Sequence, residues 1–257
     1  MSAAMMSVCV AKTVDVGGRT LEIPAPEGFV ELTEDMSALY AATKKIVDSD
    51  NDTLAYYIPS EMADAAKAGE FVPAVKYFVL KAQGNTKFVT MGNSEFASLA
   101  AGVKSANQMV TDELKMVLGD SFDPAAVVEL KGIAVLPPHR ETETTLANSM
   151  LIRQTALGGK GEGQVMSATK TYANIGGKVM LLAAYGAEQD SEWTRTAVGA
   201  WTDAVLAGNP NPPVGDSSGG SLKEEADGVG FKSAVIGAIV GALVVFVFSS
   251  LKSRRKA

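Results

Sequence analysis

Cysteine and histidine are nearly absent from this chain of 257 residues, which contains one of each, Cys9 and His139. A single cysteine excludes an internal disulfide framework. A single histidine excludes a histidine-rich metal site and leaves one candidate base for a Ser-His-Asp hydrolase. The sequence also lacks a stripe of Lys and Arg. Its net charge is −6, and residues 1–231 carry −11 because residues 232–257 hold five basic residues and no acid. Nucleic acid is therefore excluded as an expected partner.

An uncharged apolar run is present near the C-terminus, from Ser233 to Leu251. As a helix, about 19 residues reach roughly 28 Å, close to the hydrocarbon thickness of about 30 Å in a bilayer. Lipid offers no partner to backbone polar groups, so a lone span of this kind must be helical. The sequence predicts a single transmembrane helix over residues 232–251; the alternative is a buried helix at the end of a domain.

The charges around this run predict its orientation. No acid occurs after it, and four basic residues do: Lys252, Arg254, Arg255 and Lys256. Only Lys223 and Lys232 precede it closely, beside three acids. Basic residues are retained on the cytoplasmic side of a membrane. We therefore expect a single-pass protein of the bacterial inner membrane, with residues 252–257 as a cytoplasmic tail and the preceding domain in the periplasm.

Small residues recur along one face of the predicted span. They are Ala234, Gly237, Ala238, Gly241 and Ala242, spaced by three or four positions and including a GxxxG pair. A face of small side chains lets another helix backbone approach closely. The pattern predicts helix pairing, with a partner or as a homodimer. The alternative is that small residues are simply common in single spans.

An extracytoplasmic domain requires an export signal, and the chain begins with the apolar stretch "MSAAMMSVCVA". It has no charge and ends in a small residue, as the end of a signal peptide does. It lacks a positive region and is short. We interpret residues 1–11 as a signal-peptide remnant whose true start lies upstream. The alternative is the N-terminus of a cytosolic protein.

The stretch before the span reads "GNPNPPVGDSSGGSLKEEADGVG" and is rich in Gly, Pro, Ser and acids. Such a composition is typical of a linker, with a root-mean-square reach of about 26 Å for about 23 residues. We assign residues 208–231 to this linker. The remaining residues, 12–207, are numerous enough to bury a core without cross-links.

Residues 12–207 predict an α+β domain. "VDVGGRTLEI" alternates apolar and polar residues around a Gly-Gly turn, as a hairpin does, and a helix is expected from Thr33. A long helix follows Asn93, and a last one runs from Asp190 to Ala207. Strands are predicted around Phe88–Met91 and over Val127–Leu136, Glu143–Gln154, Gln164–Asn174 and Lys178–Tyr185. This order lacks repeating βαβ units, so we expect a mostly antiparallel sheet flanked by helices.

The order of elements, with "IPAPEGF" near the start and "WTDAVLAGN" near the end, resembles the PsbP-like α/β/α sandwich group over Thr13 to Ala207. The resemblance implies a domain that docks to other proteins, often near membranes, without a shared catalytic motif. The chain is also similar to bacterial proteins of unassigned function that join an exported domain to one C-terminal span.

Three local motifs have simpler explanations than catalysis. "GDSSGGS" resembles a serine-protease stretch, but it lies in the linker. "GGKGEG" lacks the Ser or Thr that follows Lys in a phosphate-binding loop, and it fits a hairpin turn. His139 follows two prolines, so we expect it on an exposed loop between strands. The scattered methionines are expected to fill the core. We assign no catalytic residue, metal or cofactor.

The leading hypothesis is a membrane-tethered, non-catalytic domain that binds or scaffolds another envelope protein. One alternative is an envelope enzyme whose site is assembled from residues distant in sequence. Another is a cytosolic domain anchored by its tail. A deep polar pocket with a strongly perturbed titratable group favours the enzyme, whereas a broad exposed apolar patch favours the binder.

Overall fold

The computed structural model describes residues 11–46, 48, 50–70, 72–84, 86–118, 123–124, 127–128, 132–155, 157 and 163–212. The predicted span, the basic tail, most of the linker and residues 1–10 lie outside this part. The pairing residues of the span (Ala234 to Ala242) and the charges from Lys252 to Lys256 therefore stay predictions. Among the residues described, none of the helices is long and apolar enough to cross a bilayer.

A seven-stranded antiparallel sheet forms the centre of the domain, in the order β3-β4-β5-β9-β8-β7-β6. Its strands are β3 (Phe29–Glu31), β4 (Asn51–Pro59), β5 (Tyr77–Gln83), β6 (Ile133–Glu141), β7 (Thr145–Gln154), β8 (Gln164–Ile175) and β9 (Lys178–Ala187). A separate hairpin pairs β1 (Ala11–Val16) with β2 (Arg19–Pro24). Successive side chains of a strand point to opposite faces, so both faces of this sheet can be apolar.

The helices are α1 (Ser37–Thr43), α2 (Ala63–Lys67), α3 (Asn93–Leu118) and α4 (Ser191–Gly208). The β1–β2 hairpin and α4 share one face of the sheet, where Trp201 packs into a cluster with Leu21 and Phe78. The opposite face is covered by α1 and α2 at one end, through Leu39. It is covered by α3 at the other end, through Phe96. The predicted α+β fold, an antiparallel sheet flanked by helices, is confirmed.

Three predicted boundaries are wrong. No strand forms over Phe88–Met91: Phe88 ends a turn, in which the Val89 N–H donates to the nearby Thr86 carbonyl at 2.9 Å. The first helix begins at Ser37 instead of Thr33, since the Met36 N–H closes a turn onto the Thr33 carbonyl at 3.0 Å. β6 begins at Ile133, because Val127 and Val128 are helical and fully buried. Apolar runs do not distinguish buried helix from buried strand.

The residues after α4 are bound to the domain. The Asn209 side chain accepts from the Glu22 N–H at 2.8 Å and donates to the Glu22 carbonyl at 2.6 Å. Asn211 Oδ1 accepts from the Gly177 N–H at 2.9 Å. These contacts join the end of α4 to β2 and to the β8–β9 turn. The chain is thus held against the domain up to the last residues described.

The β1–β2 turn provides a matched pair of variants, because Gly17 and Gly18 both have positive φ, at 55° and 80°. A Cβ at Gly18 would meet nothing within 4 Å, whereas one at Gly17 would lie 1.9 Å from the Lys87 carbonyl oxygen. We expect Gly18→Ala to lower the free energy of unfolding by about 1–2 kcal/mol, the cost of a left-handed L-residue. Gly17→Ala should lower the free energy of unfolding further, since its Cβ also displaces the Lys87 backbone. Urea unfolding of both variants measures this; equal losses would contradict it.

Candidate binding pocket beside helix α4

A pocket of about 340 Å³ lies between α4 and strands β6, β7 and β8. Its lining includes His139 and Arg140 from β6, Ala147 from β7, Thr171 from β8, and Arg195 and Asp203 from α4. These residues are distant in sequence and meet because β6, β7 and β8 are neighbours under one helix. Its lining holds two arginines against one aspartate, in a chain whose net charge is negative.

Irregular pairing of β6 brings two adjacent residues to the same pocket. Its register with β7 shifts on both sides of Pro138, between Val135 and Pro138 and between Pro138 and Arg140. In a regular strand His139 and Arg140 would point to opposite faces. Edge strands tolerate prolines and bulges, which re-aim side chains. His139 is exposed, as expected, but its predicted position in a loop is wrong, because the proline pair is accommodated within an edge strand.

Arg140 joins the edge strand to α4. Its Nη1 donates to the Gly199 carbonyl at 3.2 Å, and its Nη2 is ion-paired with Asp203. Both contacts reach the same helix one turn apart. The charge of Arg140 is therefore neutralised within the pocket wall.

Arg195 is the less neutralised cation of the pocket. Its Nε donates to Ser149 Oγ at 3.0 Å, which holds the side chain over β7. Its Nη1 is 3.8 Å from Glu192 Oε2, longer than a hydrogen bond, and the Glu192 side chain is 85% exposed. Exposed pairs of this kind are screened by water and contribute little. The terminal nitrogens of Arg195 are thus available to a ligand.

A chain of buried hydroxyls supports Arg195 from below. Ser149 Oγ lies 3.0 Å from Thr169 Oγ1, and Thr169 Oγ1 lies 2.9 Å from Thr194 Oγ1. Thr194 donates its proton to the Ser191 carbonyl at 2.8 Å, so it accepts from Thr169, which in turn accepts from Ser149. Ser149 is then left as an acceptor for the Arg195 Nε–H. The chain of donors has one consistent direction and orients the guanidinium.

We expect Thr194→Val to lower the free energy of unfolding by about 1–3 kcal/mol, because it leaves the buried Thr169 hydroxyl without its acceptor. Thr196→Val is the matched control, because Thr196 lies on the same helix and is exposed. This variant should change the free energy of unfolding by no more than about 0.5 kcal/mol. Guanidinium unfolding of both variants gives the comparison. A similar loss in the two would argue that the hydroxyl chain contributes nothing.

Thr171 lies in the floor of the pocket and is 1% exposed. Its hydroxyl has no hydrogen-bond partner among the residues described. A buried hydroxyl left unpaired costs about 1–3 kcal/mol. Such a group, at the wall of a pocket, is typical of a site that is completed by a ligand.

The pKa of His139 lies below its ordinary value. Partial burial of the ring is the largest cause, and the positive charge of Arg195 lowers the pKa further. Glu192 opposes this by raising the pKa, and Arg140 adds a smaller lowering. His139 is therefore neutral at pH 7, with one ring N–H as a donor and one nitrogen as an acceptor.

The most perturbed lysine lies elsewhere. Burial lowers the pKa of Lys170 to about 8, with a further lowering by Lys81 and an opposing effect of Asp48. Lys81 Nζ and Asp48 Oδ2 are 2.5 Å apart. Lys170 precedes Thr171 on β8, so it points to the opposite face of the sheet. The pocket and this lysine do not form one site, and the part of the chain described holds no cluster of three or more potential metal ligands.

A deep polar pocket with a strongly perturbed titratable group would favour an enzyme, and a broad exposed apolar patch would favour a binder. The pocket does not contain the strongly perturbed lysine. The large exposed apolar side chains of the described ranges come from separate segments: Ile46, Val72, Val75, Phe88 and Met109. The predicted role of methionine as core filler holds for Met91, Met150, Met166 and Met180, which are buried, and not for Met109, which is 62% exposed.

The sequence patterns missed every residue of this pocket as a functional group. Of these residues, the patterns single out only His139, and they place it on a solvated loop. Arg195 and Arg140 look like ordinary surface charges in a sequence, since their partners Ser149 and Asp203 are 46 and 63 positions away. The adjacent His139 and Arg140 on an edge strand interrupted by prolines were the only local signal.

No family model matches the chain, and no curated protein matches it. Solved structures similar to it include the Ran-binding protein Mog1p from Saccharomyces cerevisiae, with 14% identity, 77% of this chain and 90% of that chain covered, and a TM-score of 0.28. A Mog1 point mutant has 13% identity and a TM-score of 0.31, with 78% of this chain and 93% of that chain covered. PsbP (CyanoP) from Synechocystis has 10% identity and a TM-score of 0.28, with 81% of this chain and 96% of that chain covered. A PsbP is thus among the similar structures, as the weak PsbP-like resemblance implied. At these scores the likeness carries no residue role to this chain.

Proposed function

We propose that this protein is a non-catalytic binding domain, tethered to the bacterial inner membrane by its C-terminal helix, which docks another protein of the cell envelope through the pocket beside α4. The observation that carries the proposal is this pocket itself. It gathers cations and unused donors on one face of an otherwise acidic chain, and its side chains are already held in place by Ser149 and by α4. Pre-organised groups of this kind lower the cost of binding.

The tether supports the same role. The predicted span, its basic tail and the linker confine the domain to within tens of ångströms of the membrane, which raises the effective concentration of a partner located there. The acidic domain is mildly repelled by anionic headgroups, so a protein partner suits it better than the lipid surface.

Site-specific photo-crosslinking tests the docking surface in the full-length protein in its own cells. A photo-reactive amino acid at Thr196, which is exposed and lines the pocket, is compared with one at Ser98, which is exposed on α3 on the opposite face. We expect a discrete protein adduct from position 196, absent from position 98, and abolished when Arg195→Gln is added. Equal adducts from both positions, or an adduct indifferent to Arg195→Gln, would reject this surface.

Topology is tested separately by adding protease to sealed spheroplasts, with a cytosolic protein as the control for lysis. Digestion of the domain outside the sealed membrane supports the extracytoplasmic proposal. Protection until lysis would reject it, and partners would then be sought in the cytosol.

A further inference from the structure

We propose that the pocket recognises a single carboxylate of the partner protein, with Arg195 as its principal cation and the Thr171 hydroxyl and the His139 ring N–H as neutral donors. This proposal rests on the proposed docking function and names the chemical group of the partner that the pocket binds.

The charge of the pocket matches a monoanion. Arg140 is neutralised by Asp203, and His139 is neutral at pH 7, so Arg195 is the least compensated positive charge of the pocket. Glu192 is too exposed and too distant from Arg195 to cancel that charge fully. A phosphate ester carries about −1.5 to −2 charges. It would bring a second negative charge next to Asp203 and Glu192 with no further cation to meet it.

The geometry of Arg195 suits a carboxylate. The Nε–H is committed to Ser149, and the hydroxyl chain through Thr169 and Thr194 fixes the plane of the guanidinium. Arg195 lines the pocket, where its terminal nitrogens can donate to a carboxylate. Displacing the 3.8 Å contact with Glu192 sacrifices no hydrogen bond. Hydrogen bonds from a guanidinium to a carboxylate are about twice as strong as neutral ones.

Thr171 supplies a second donor without losing an interaction. Its hydroxyl is buried and unpaired among the residues described, beside the pocket that its side chain lines. Because this hydroxyl donates to none of the residues described, a ligand oxygen that accepts its proton forms a new hydrogen bond without breaking an existing one.

His139 reports on occupancy because it is the only histidine in the chain. The charged groups that act on it are Arg140 from its own strand and Arg195 and Glu192 from α4, with Asp203 as a further acid in the pocket. A bound carboxylate adds a negative charge near the ring and favours the imidazolium. The pKa of His139, lowered in the free protein, should therefore rise when a carboxylate binds.

The test is an NMR titration of the His139 ring signals in the full-length protein in detergent, at constant ionic strength. The probes are acetate, an amidated N-acetyl peptide with one internal Glu, an all-Ala peptide with a free C-terminus, inorganic phosphate, and acetamide as the uncharged control. We expect saturable shifts and a raised pKa with acetate and with at least one peptide, and none with acetamide. The two peptides distinguish an acidic side chain from a C-terminus as the source of the carboxylate.

Variants assign the effect to named groups. Arg195→Gln should weaken acetate binding by about 10- to 100-fold, the loss typical of a hydrogen bond to a charged group. Arg19→Gln, an exposed arginine on β2, should change nothing. Thr171→Val keeps the shape of the side chain and should weaken binding by a smaller factor without reducing stability, since its hydroxyl has no partner among the described residues. Circular dichroism of each variant checks that it is folded.

Three outcomes would overturn the inference: no response to any carboxylate, phosphate binding as tight as acetate binding, or an unchanged affinity in Arg195→Gln. The docking proposal fails differently. A photo-adduct at Thr196 without any carboxylate response would leave docking intact and reject only carboxylate recognition. Carboxylate binding without an adduct at Thr196 would reject protein docking and leave a small-molecule carboxylate as the ligand.

Discussion

Trp201→Ala is expected to lower the free energy of unfolding by about 3–5 kcal/mol, the range for removing a buried aromatic side chain. Trp201 is 3% exposed, and its ring lies 5.3 Å from the Tyr57 ring and 5.4 Å from the Phe78 ring. Its indole N–H donates to the Pro24 carbonyl at 2.8 Å. The side chain therefore joins α4, the sheet and the end of β2, and its removal leaves a cavity where three elements meet.

Trp201→Phe separates packing from hydrogen bonding. It retains an aromatic ring but leaves the Pro24 carbonyl without its donor. It should therefore lower the free energy of unfolding by less than Trp201→Ala does. Denaturant unfolding of both variants gives the two free energies. Because Arg195 and Asp203 lie on the same helix, Trp201→Ala should also weaken ligand binding in the pocket. A Trp201→Ala loss below about 1 kcal/mol, the size of a typical surface effect or a single net hydrogen bond, would contradict the packing described.

Phe96→Ala is expected to lower the free energy of unfolding by about 3–5 kcal/mol, as Trp201→Ala does. Phe96 is fully buried near the start of α3, in a cluster with Leu146 and Val179 of the sheet. A long helix with one apolar stripe depends on such contacts more than on its intrinsic propensity. Loss of Phe96 should release the N-terminal part of α3 from the sheet.

Phe88→Ala is the matched control, because it removes the same side chain from a position that is 75% exposed. Its effect should stay within about 0.5 kcal/mol. Hydrogen exchange of both variants shows where protection is lost, and we expect faster exchange in α3 for Phe96→Ala alone. If the two variants unfolded at the same denaturant concentration, burial would not be what holds α3 in place.

The Gly-Gly turns show that local sequence predicts the hairpins and the bounds of their strands. "VDVGG" and "NIGGK" each predict a tight turn between strands, and Gly17, Gly18, Gly176 and Gly177 have positive φ as such turns require. The strands β7, β8 and β9 lie within a few residues of their predicted bounds for the same reason. The prediction failed for β6, where Pro137 and Pro138 suggested a loop. An edge strand can accept them because its outer side has no partner strand to satisfy.

Local sequence is enough to predict the α+β class, the hairpins, the long helices and their apolar faces, because these depend on periodicity and on Gly and Pro within a short window. It also predicts the membrane span, the linker and the orientation of the tail. The contacts of the pocket arise only when the chain is folded: Arg195 meets Ser149, Arg140 meets Asp203, and Thr171 is buried without a hydrogen-bond partner among the residues described. These contacts depend on which strands become neighbours and where α4 crosses them. That arrangement is set by packing across the whole sheet rather than by any local pattern.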